Sequence, residues 1–189
     1  MRDTIRRRFF DSAQVKTEFA EKNEKMIVEV VEVIHRALSA GKKVFFFGNG
    51  GSASDAQHLA AELVGRLRKE RDPIAAIALT TDTSVITALG NDFGFETIFS
   101  RQILAIGERG DVAVAISTSG NSKNILEGIK AARAKEMITV GFLGKDGGQA
   151  RTMVDYPLVV ESDNAQIVQE VHITLGHFIC EELERRIVG

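Results

Sequence analysis

The chain has 189 residues, a composition typical of a globular protein, and a formal net charge of −2 with a pI near 6.1. This length supports one sizeable core, so we expect a single domain over residues 1–189 with an N-terminal helical region over residues 1–40. The charge balance predicts no basic surface, and 6% aromatic residues without tryptophan predict no stacking platform, so we expect no nucleic-acid partner.

The predicted elements begin with helix and continue with strands. Residues 2–39 carry apolar side chains at helical spacing, without proline and before Gly41, which predicts one or two helices. Five apolar runs follow: KKVFFF, IAAIAL, DVAVAIS, ITVGFL and a weaker YPLVV. Each precedes a turn with glycine or serine and then a helical pattern, and residues 164–188 are predicted to form a closing helix. Continuous apolar runs are typical of strands covered on both faces, so we expect a doubly wound α/β domain with a parallel five-stranded sheet.

Two of the predicted strand-to-helix turns are polar. The first is GNGGS, from Gly48 to Ser52, and the second is STSGNS, from Ser117 to Ser122. Ligands of open parallel sheets bind at the carboxyl ends of strands, where helix N-termini offer N–H groups to anions. The hydroxyls of the second turn therefore indicate a phosphate site, and the alternative is a serine-rich helix cap without a ligand. The first turn matches neither a P-loop nor the dinucleotide fingerprint, so we expect no nucleotide cofactor.

A second set of residues has side chains that can bind a metal. His58 and Glu62 lie four residues apart on one predicted helix face, and Gln169 and His177 lie eight apart on the closing helix. Two imidazoles, a carboxylate and an amide oxygen suit zinc or a similar divalent ion, although a His–Glu pair at this spacing is often only hydrogen-bonded. Eight residues span about 12 Å, so one ion can bind both later residues only if both reach fully or a second subunit supplies one. His172, between them, is expected to be structural.

Four segments together resemble a known family. They are FGNGGSASDAQHLAAELVGR, ALGNDFGFE, AISTSGNSKNIL and VQEVHITLGH, and they are similar to the sugar isomerase (SIS) domain family and, within it, to the phosphoheptose isomerases. The resemblance covers nearly the whole chain. It implies a flavodoxin-like α/β fold, a homotetramer with sites at subunit interfaces, and one zinc ion per subunit. The family's metal ligands match His58, Glu62, Gln169 and His177.

The resemblance also implies substrate contacts and a reaction. The substrate-binding positions of the family match Asn49, Gly50, Gly51, Ser52, Glu62, Asn91, Asp92, Ser117, Thr118, Ser119, Ser122 and Gln169. The implied reaction converts D-sedoheptulose 7-phosphate to D-glycero-D-manno-heptose 7-phosphate for lipopolysaccharide precursors. Moving the carbonyl through an enediolate needs a base and an acid, for which Glu62 and His177 are the candidates. Arg66, one turn after Glu62, is a candidate contact to an anionic group or a partner in a surface salt bridge.

A rival interpretation within the same family is a binding module. A SIS protein that associates with the replication initiator is similar over the same length but lacks the helix glutamate and the last histidine. This chain keeps Glu62 and His177, so the enzyme is the favoured interpretation. The chain departs from the family enzymes at Ala53-Ser54, where a His-Cys pair is common, and at Ile167, where arginine is common. These departures concern the surroundings of the site and the sugar preference.

The sequence also indicates a compartment. The one cysteine, Cys180, stands among apolar residues and has no partner for an intrachain disulfide, which fits a reducing environment. The stretch MRDTIRRRFFDSAQ lacks the apolar core of a signal peptide, and no apolar run approaches the roughly 20 residues that span a bilayer. We therefore expect a cytoplasmic protein without a membrane partner.

Overall fold

The structure, a computed structural model, describes residues 1–188 and opens with a long helix. This helix, α1 (Arg2–Ser39), spans 38 residues and buries apolar side chains mainly in its second half, from Ile27 to Ala37. The sequence analysis predicted one or two helices over residues 2–39. A single helix forms because neither proline nor glycine interrupts the run before Gly41.

Within residues 1–188, five parallel strands form one sheet in the order β2-β1-β3-β4-β5. They are β1 (Val44–Gly48), β2 (Ala76–Ala78), β3 (Val112–Ser117), β4 (Ile138–Gly144) and β5 (Tyr156–Val160). The strand β1 pairs with both β2 and β3, and its last residue, Gly48, lies opposite Ile116. This order is the flavodoxin-like arrangement, in which the winding direction reverses between β1 and β3. The sheet predicted from the apolar runs is confirmed.

Helices cover both faces of the sheet. The remaining helices are α2 (Gly51–Val64), α3 (Thr83–Phe93), α4 (Ser100–Ile106), α5 (Lys123–Ala134) and α6 (Ala165–Val188). Phe46 packs with α1, α2 and α6 on one face, whereas its neighbours Phe45 and Phe47 pack with α4 and α5 on the other. Successive strand residues point to opposite faces, which explains why the strand is apolar throughout. None of the helices within residues 1–188 combines the length and apolar character needed to cross a bilayer.

One crossover differs from the sequence prediction. A helical pattern was expected after every strand, but β4 and β5 are joined by a 3₁₀ turn at Gln149–Thr152 without an α-helix. The connection, residues 145–155, is near the shortest length that can hold a complete crossover helix. It is also interrupted by Gly147 and Gly148, which are poor helix formers. The helix prediction at this connection was therefore wrong.

Candidate functional site

The two polar turns lie side by side at the carboxyl ends of the paired strands β1 and β3. A reciprocal amide pair joins them: Asn49 Nδ2 donates to Asn124 Oδ1 at 2.9 Å, and Asn124 Nδ2 donates to Asn49 Oδ1 at 2.8 Å. Asn124 is buried in the first turn of α5, so this pair fixes the first turn against the start of that helix. Sequence reasoning missed Asn124, although its position two residues after the hydroxyl-rich turn was a usable signal.

The hydroxyl-rich turn, residues 117–122, is held in shape by its own hydrogen bonds. The buried Ser117 Oγ accepts the Gly120 N–H at 3.1 Å, and Ser119 Oγ accepts the Asn121 N–H at 3.3 Å. Ser122 is the N-cap residue of α5, and its hydroxyl makes no capping bond to the helix. The first N–H groups of a helix have no partner within the helix. The turn therefore presents these N–H groups and the Ser122 hydroxyl together at the sheet edge.

The glycine-rich turn after β1 brings Gln169 of α6 to the start of α2. A Cβ atom on Gly51 would lie 2.6 Å from the Gln169 Nε2 atom, so a larger residue here would displace the Gln169 side chain. Ser52, the next residue, is buried. Two predicted substrate contacts, Gly51 and Gln169, are thereby placed next to each other, and Gly51 has a packing role in addition to any role toward substrate.

Three of the four predicted metal ligands converge between α2 and α6. His58 Nε2 lies 2.8 Å from His177 Nε2 and 3.2 Å from Glu62 Oε1. One ligand atom from each of the three residues lies within 4.8 Å of the other two. Tetrahedral zinc with nitrogen ligands at about 2.0–2.1 Å holds them about 3.3 Å apart, so a small separation of the two imidazoles would admit an ion. The donor set therefore fits a divalent cation.

This convergence depends on the close packing of α2 against α6. A Cβ atom on Gly176 would lie 2.4 Å from Leu59 Cδ2, so the glycine lets the Leu59 side chain of α2 pack directly on the α6 backbone, next to His58 and His177 in the sequence. Gln169 contacts α2 further toward its N-terminus, at Gly51. Helix side chains lean toward the N-terminus, so both imidazoles lean toward Gln169. Its role as the fourth ligand stays a prediction.

A further carboxyl group, that of Asp55, lies one turn before His58 on α2. Its Oδ2 atom is buried and has no hydrogen-bond partner among residues 1–188. Desolvation raises the pKa of Asp55 to about 6, against the opposing effect of His58. A cation held by the neighbouring imidazole would favour the ionised form of this carboxyl. Sequence reasoning did not select Asp55, because an acidic residue near a helix N-terminus is common on electrostatic grounds alone.

His172 is buried in the core, as expected for a structural histidine. Its Nε2 atom lies 3.2 Å from the Leu143 carbonyl oxygen, to which it donates. Desolvation lowers the pKa of His172 to about 4, against the opposing effect of this hydrogen bond, so the ring is neutral near pH 7. The next residue, Gly144, packs against the Thr118 carbonyl. His172 therefore supports the hydroxyl-rich turn from the core side.

Three other predicted site residues are exposed and lie outside the cluster of His58, Glu62 and His177. Asn91 and Asp92 are at the C-terminal end of α3, where Asn91 Nδ2 donates to Asp92 Oδ1 at 2.7 Å. Asn91 lies about 12 Å along α3 from the helix start at the sheet edge. Arg66 is exposed just beyond α2. Within one chain, these residues are separate from the convergent imidazoles.

Comparisons with known proteins identify relatives of this chain. The SIS domain family matches residues 8–144. The phosphoheptose isomerase of Aquifex aeolicus (strain VF5) is 52% identical over 187 residues, which cover 99% of this chain and 98% of that protein. The phosphoheptose isomerase of Geotalea daltonii is 49% identical over 189 residues, which cover 100% of this chain and 98% of that protein.

A solved structure extends the similarity to the fold. Phosphoheptose isomerase GmhA from Neisseria gonorrhoeae matches with a TM-score of 0.92 and 40% identity, covering 97% of this chain and 98% of that chain. The relatives and the structure therefore match this chain over nearly its entire length. The chain belongs to the SIS domain family and is a sugar-phosphate isomerase of its phosphoheptose isomerase group.

Proposed function

We propose that the chain converts D-sedoheptulose 7-phosphate to D-glycero-D-manno-heptose 7-phosphate through an enediolate, in the cytoplasm, for lipopolysaccharide precursors. The name phosphoheptose isomerase, carried by relatives at 52% and 49% identity, supports a seven-carbon sugar phosphate as substrate. The observation that carries the proposal is the convergence of Glu62 with two imidazoles between α6 and α2, the helix that follows the turn joined to α5 by the Asn49–Asn124 pair.

The phosphate of the substrate would bind at residues 117–122. The N-terminus of α5, a helix of 12 residues, favours an anion through its unpaired N–H groups and its dipole. The hydroxyls of Thr118, Ser119 and Ser122 add donors at the same place. Such a site needs no excess of basic side chains, which is consistent with the net charge of −2.

Glu62 and His177 would divide the proton transfers. A ketose becomes an aldose when a base removes a C1 proton and a proton is returned to C2, while an acid moves a proton between the oxygens on C1 and C2. The Glu62 carboxylate is partly shielded from water, with 20% of its side chain exposed. His177 lies close enough to share the same substrate carbons, because both side chains contact His58.

A zinc ion, one per subunit, would be held by His58, Glu62, Gln169 and His177. Mixed nitrogen and oxygen donors suit this ion. When bound, the ion would polarise the substrate carbonyl and stabilise negative charge on oxygen. Glu62 has two carboxylate oxygens, so one can hold the ion while the other accepts the proton.

The alternative function, a non-catalytic module that associates with the replication initiator, has no support from the comparisons. The relatives that match this chain over nearly its whole length are isomerases by name. The chain also keeps Glu62 and His177, the two residues that the binding module lacks, and both side chains lie close to His58.

Pure protein incubated with sedoheptulose 7-phosphate is expected to form an aldoheptose 7-phosphate, which proton NMR detects by the appearance of an anomeric signal. In deuterated water, the C1 position of recovered ketose should also exchange its proton. Fructose 6-phosphate, a shorter ketose phosphate, is the matched control for sugar length. No turnover of the heptulose combined with tight binding to a replication initiator protein would contradict the proposal.

We further propose that the chain forms a homotetramer whose sites lie at subunit interfaces. Helix α3 has no fully buried residue in the single chain, although five of its eleven residues are apolar. Phe93 at its end is 52% exposed, and Phe9 on α1 is 75% exposed. Exposed apolar surfaces of this kind mark association sites. Asn91 and Asp92 lie exposed on this same helix, whose Ile86 and Leu89 are only partly buried against the core, which suits residues that complete the site of a neighbouring subunit.

Light scattering at micromolar concentration is therefore expected to return about four times the monomer mass of 20.7 kDa. Phe9→Glu should lower this mass, because a buried charge without a partner destabilises an interface. Lys130→Gln, which removes an exposed surface ion pair with Glu127, is the control and should leave the mass unchanged. A mass near that of the monomer for the unaltered chain would contradict the proposal.

A further inference from the structure

A buried ion pair joins the two helices that carry the proposed base and acid. Arg71 Nε donates to Glu184 Oε2 at 3.1 Å, and each side chain is only 3% exposed. Arg71 lies in the loop after α2, and Glu184 lies two turns after His177 on α6. The Arg71–Glu184 pair therefore connects the Glu62 end of α2 to the helix of His177.

Arg71 binds the last carbonyl groups of α2 directly. Its Nη2 atom donates to the Glu62 carbonyl oxygen at 2.8 Å, and its Nη1 atom donates to the carbonyl oxygens of Leu63 at 2.9 Å and Gly65 at 3.3 Å. Carbonyl groups in the last turn of a helix have no partner within the helix, and a positive charge there is favourable. One guanidinium group therefore holds the helix end at the residue proposed as the base.

Glu184 is held equally firmly by the loop after α2. Its carboxylate accepts the backbone N–H groups of Leu67 at 3.1 Å, Arg68 at 2.9 Å and Lys69 at 2.8 Å. Desolvation opposes ionisation, but these N–H groups and the Arg71 charge together hold the pKa of Glu184 below its ordinary value. The carboxylate is therefore ionised near pH 7 and binds two segments in one defined geometry.

We propose that the Arg71–Glu184 pair is a positioning device for catalysis, which sets Glu62 on α2 at the distance from His177 on α6 that proton transfer requires. The inference rests on the roles proposed above for these two residues. The His58 side chain beside them is 49% exposed, so side-chain packing alone does not determine the geometry of the cluster. A misplacement of about 1 Å can cost about 10²-fold in rate.

A contribution to stability alone does not explain this pair. Burying two charges costs desolvation free energy, and an apolar pair of similar volume often stabilises a fold as well or better. An ion pair with directional bonds to Glu62, Leu63 and three loop N–H groups defines a single relative placement of α2 and α6. Geometry, rather than burial, is the property that this arrangement supplies.

The chain offers a matched control for this pair. Arg68 Nη1 lies 2.8 Å from Glu181 Oε1, so a second ion pair joins the same loop to the same helix. The Arg68–Glu181 pair is on the surface, with side chains 70% and 41% exposed, and surface pairs of this kind are screened by water. Changes to its side chains leave the Arg68 backbone N–H, which binds Glu184, in place.

The first measurement compares the turnover of Arg71→Lys and Arg68→Lys. Lysine keeps the charge but lacks the planar fork that binds a carboxylate and several carbonyl groups at once. We expect kcat to fall about 10-fold or more for Arg71→Lys, with KM changed by less than about 3-fold, because the hydroxyl-rich turn is not affected. Arg68→Lys should stay within about 2-fold of the unaltered protein. Equal effects of both changes, or a change in KM alone, would overturn the proposal.

Cobalt binding supplies a second measurement that does not depend on turnover. Titration of chelator-treated protein with Co²⁺, followed by visible absorbance, reports the geometry of the His58, Glu62 and His177 cluster. We expect Arg71→Lys and Glu184→Gln to weaken Co²⁺ binding about 10-fold and Glu181→Gln to leave it unchanged. A cooperative thermal unfolding transition should show that every variant is folded. Unaltered Co²⁺ affinity and kcat in both variants of the pair would overturn the inference. Co²⁺ binding without turnover in the unaltered protein would overturn the proposed function and leave the positioning role to be judged by the Co²⁺ affinities.

Discussion

Glu62→Gln is expected to lower kcat for the ketose-to-aldose conversion by about 10² to 10⁴-fold, with KM largely unchanged. Glutamine keeps the size of the side chain and an oxygen that can remain near His58, which lies 3.2 Å from Glu62 Oε1. The amide cannot accept the C1 proton, so only the proton-transfer step loses its base. Steady-state kinetics and the exchange of the C1 proton with deuterated water measure the two consequences separately.

The control for this change is Glu181→Gln, an equivalent substitution on the exposed face of α6. It should leave both the turnover and the proton exchange at their normal rates. If Glu62→Gln still exchanged the C1 proton at the normal rate, Glu62 would not be the base. The role would then pass to His177 or, in an assembled site, to Asp92.

His58→Ala is expected to remove most of the bound metal and to impair substrate binding and turnover together. Its Nε2 atom is the donor nearest to both other members of the cluster, at 2.8 Å from His177 and 3.2 Å from Glu62. Loss of one of two imidazoles leaves too few strong donors for a tetrahedral ion. Elemental analysis of protein purified without added metal should find about one equivalent of zinc in the unaltered chain and little in the variant. Chelation of the unaltered protein should reduce its turnover.

His35→Ala is the matched control, because His35 lies on α1 outside the cluster of His58, Glu62 and His177. It should retain the metal content of the unaltered chain. Equal metal content in His58→Ala and the unaltered protein would show that these residues do not hold the ion.

Much of the fold was predictable because its signals are local. The runs at residues 44–48 and 112–117 are apolar without alternation. This pattern is typical of a strand that is covered on both faces, because every side chain is then buried. The polar turns after them mark the strand ends, and the resemblance gave the family. The connection between β4 and β5 was not predictable in the same way, since a helical pattern does not show whether residues 145–155 have room for a helix.

The candidate site was predictable to the extent that it depends on one helix. His58 and Glu62 share a face of α2 because they lie four residues apart, and that relation holds in any helix. Their meeting with His177 depends on a different cause, the close approach of α2 and α6 at Leu59 and Gly176. No local pattern reports such packing.

The sequence by itself determined most of the elements, the parallel sheet, the family and the types of side chain that the site contains, because helical spacing, apolar runs and motif spacing are properties of neighbouring residues. Only the tertiary structure decided which distant groups meet. The Asn49–Asn124 amide pair and the Arg71–Glu184 pair join residues 75 and 113 positions apart, and the burial of Glu184 distinguishes it from the exposed Glu181 on the same helix. These contacts follow from the packing of whole helices against the sheet, and the free energy of that packing is shared among many side chains rather than encoded in any short segment.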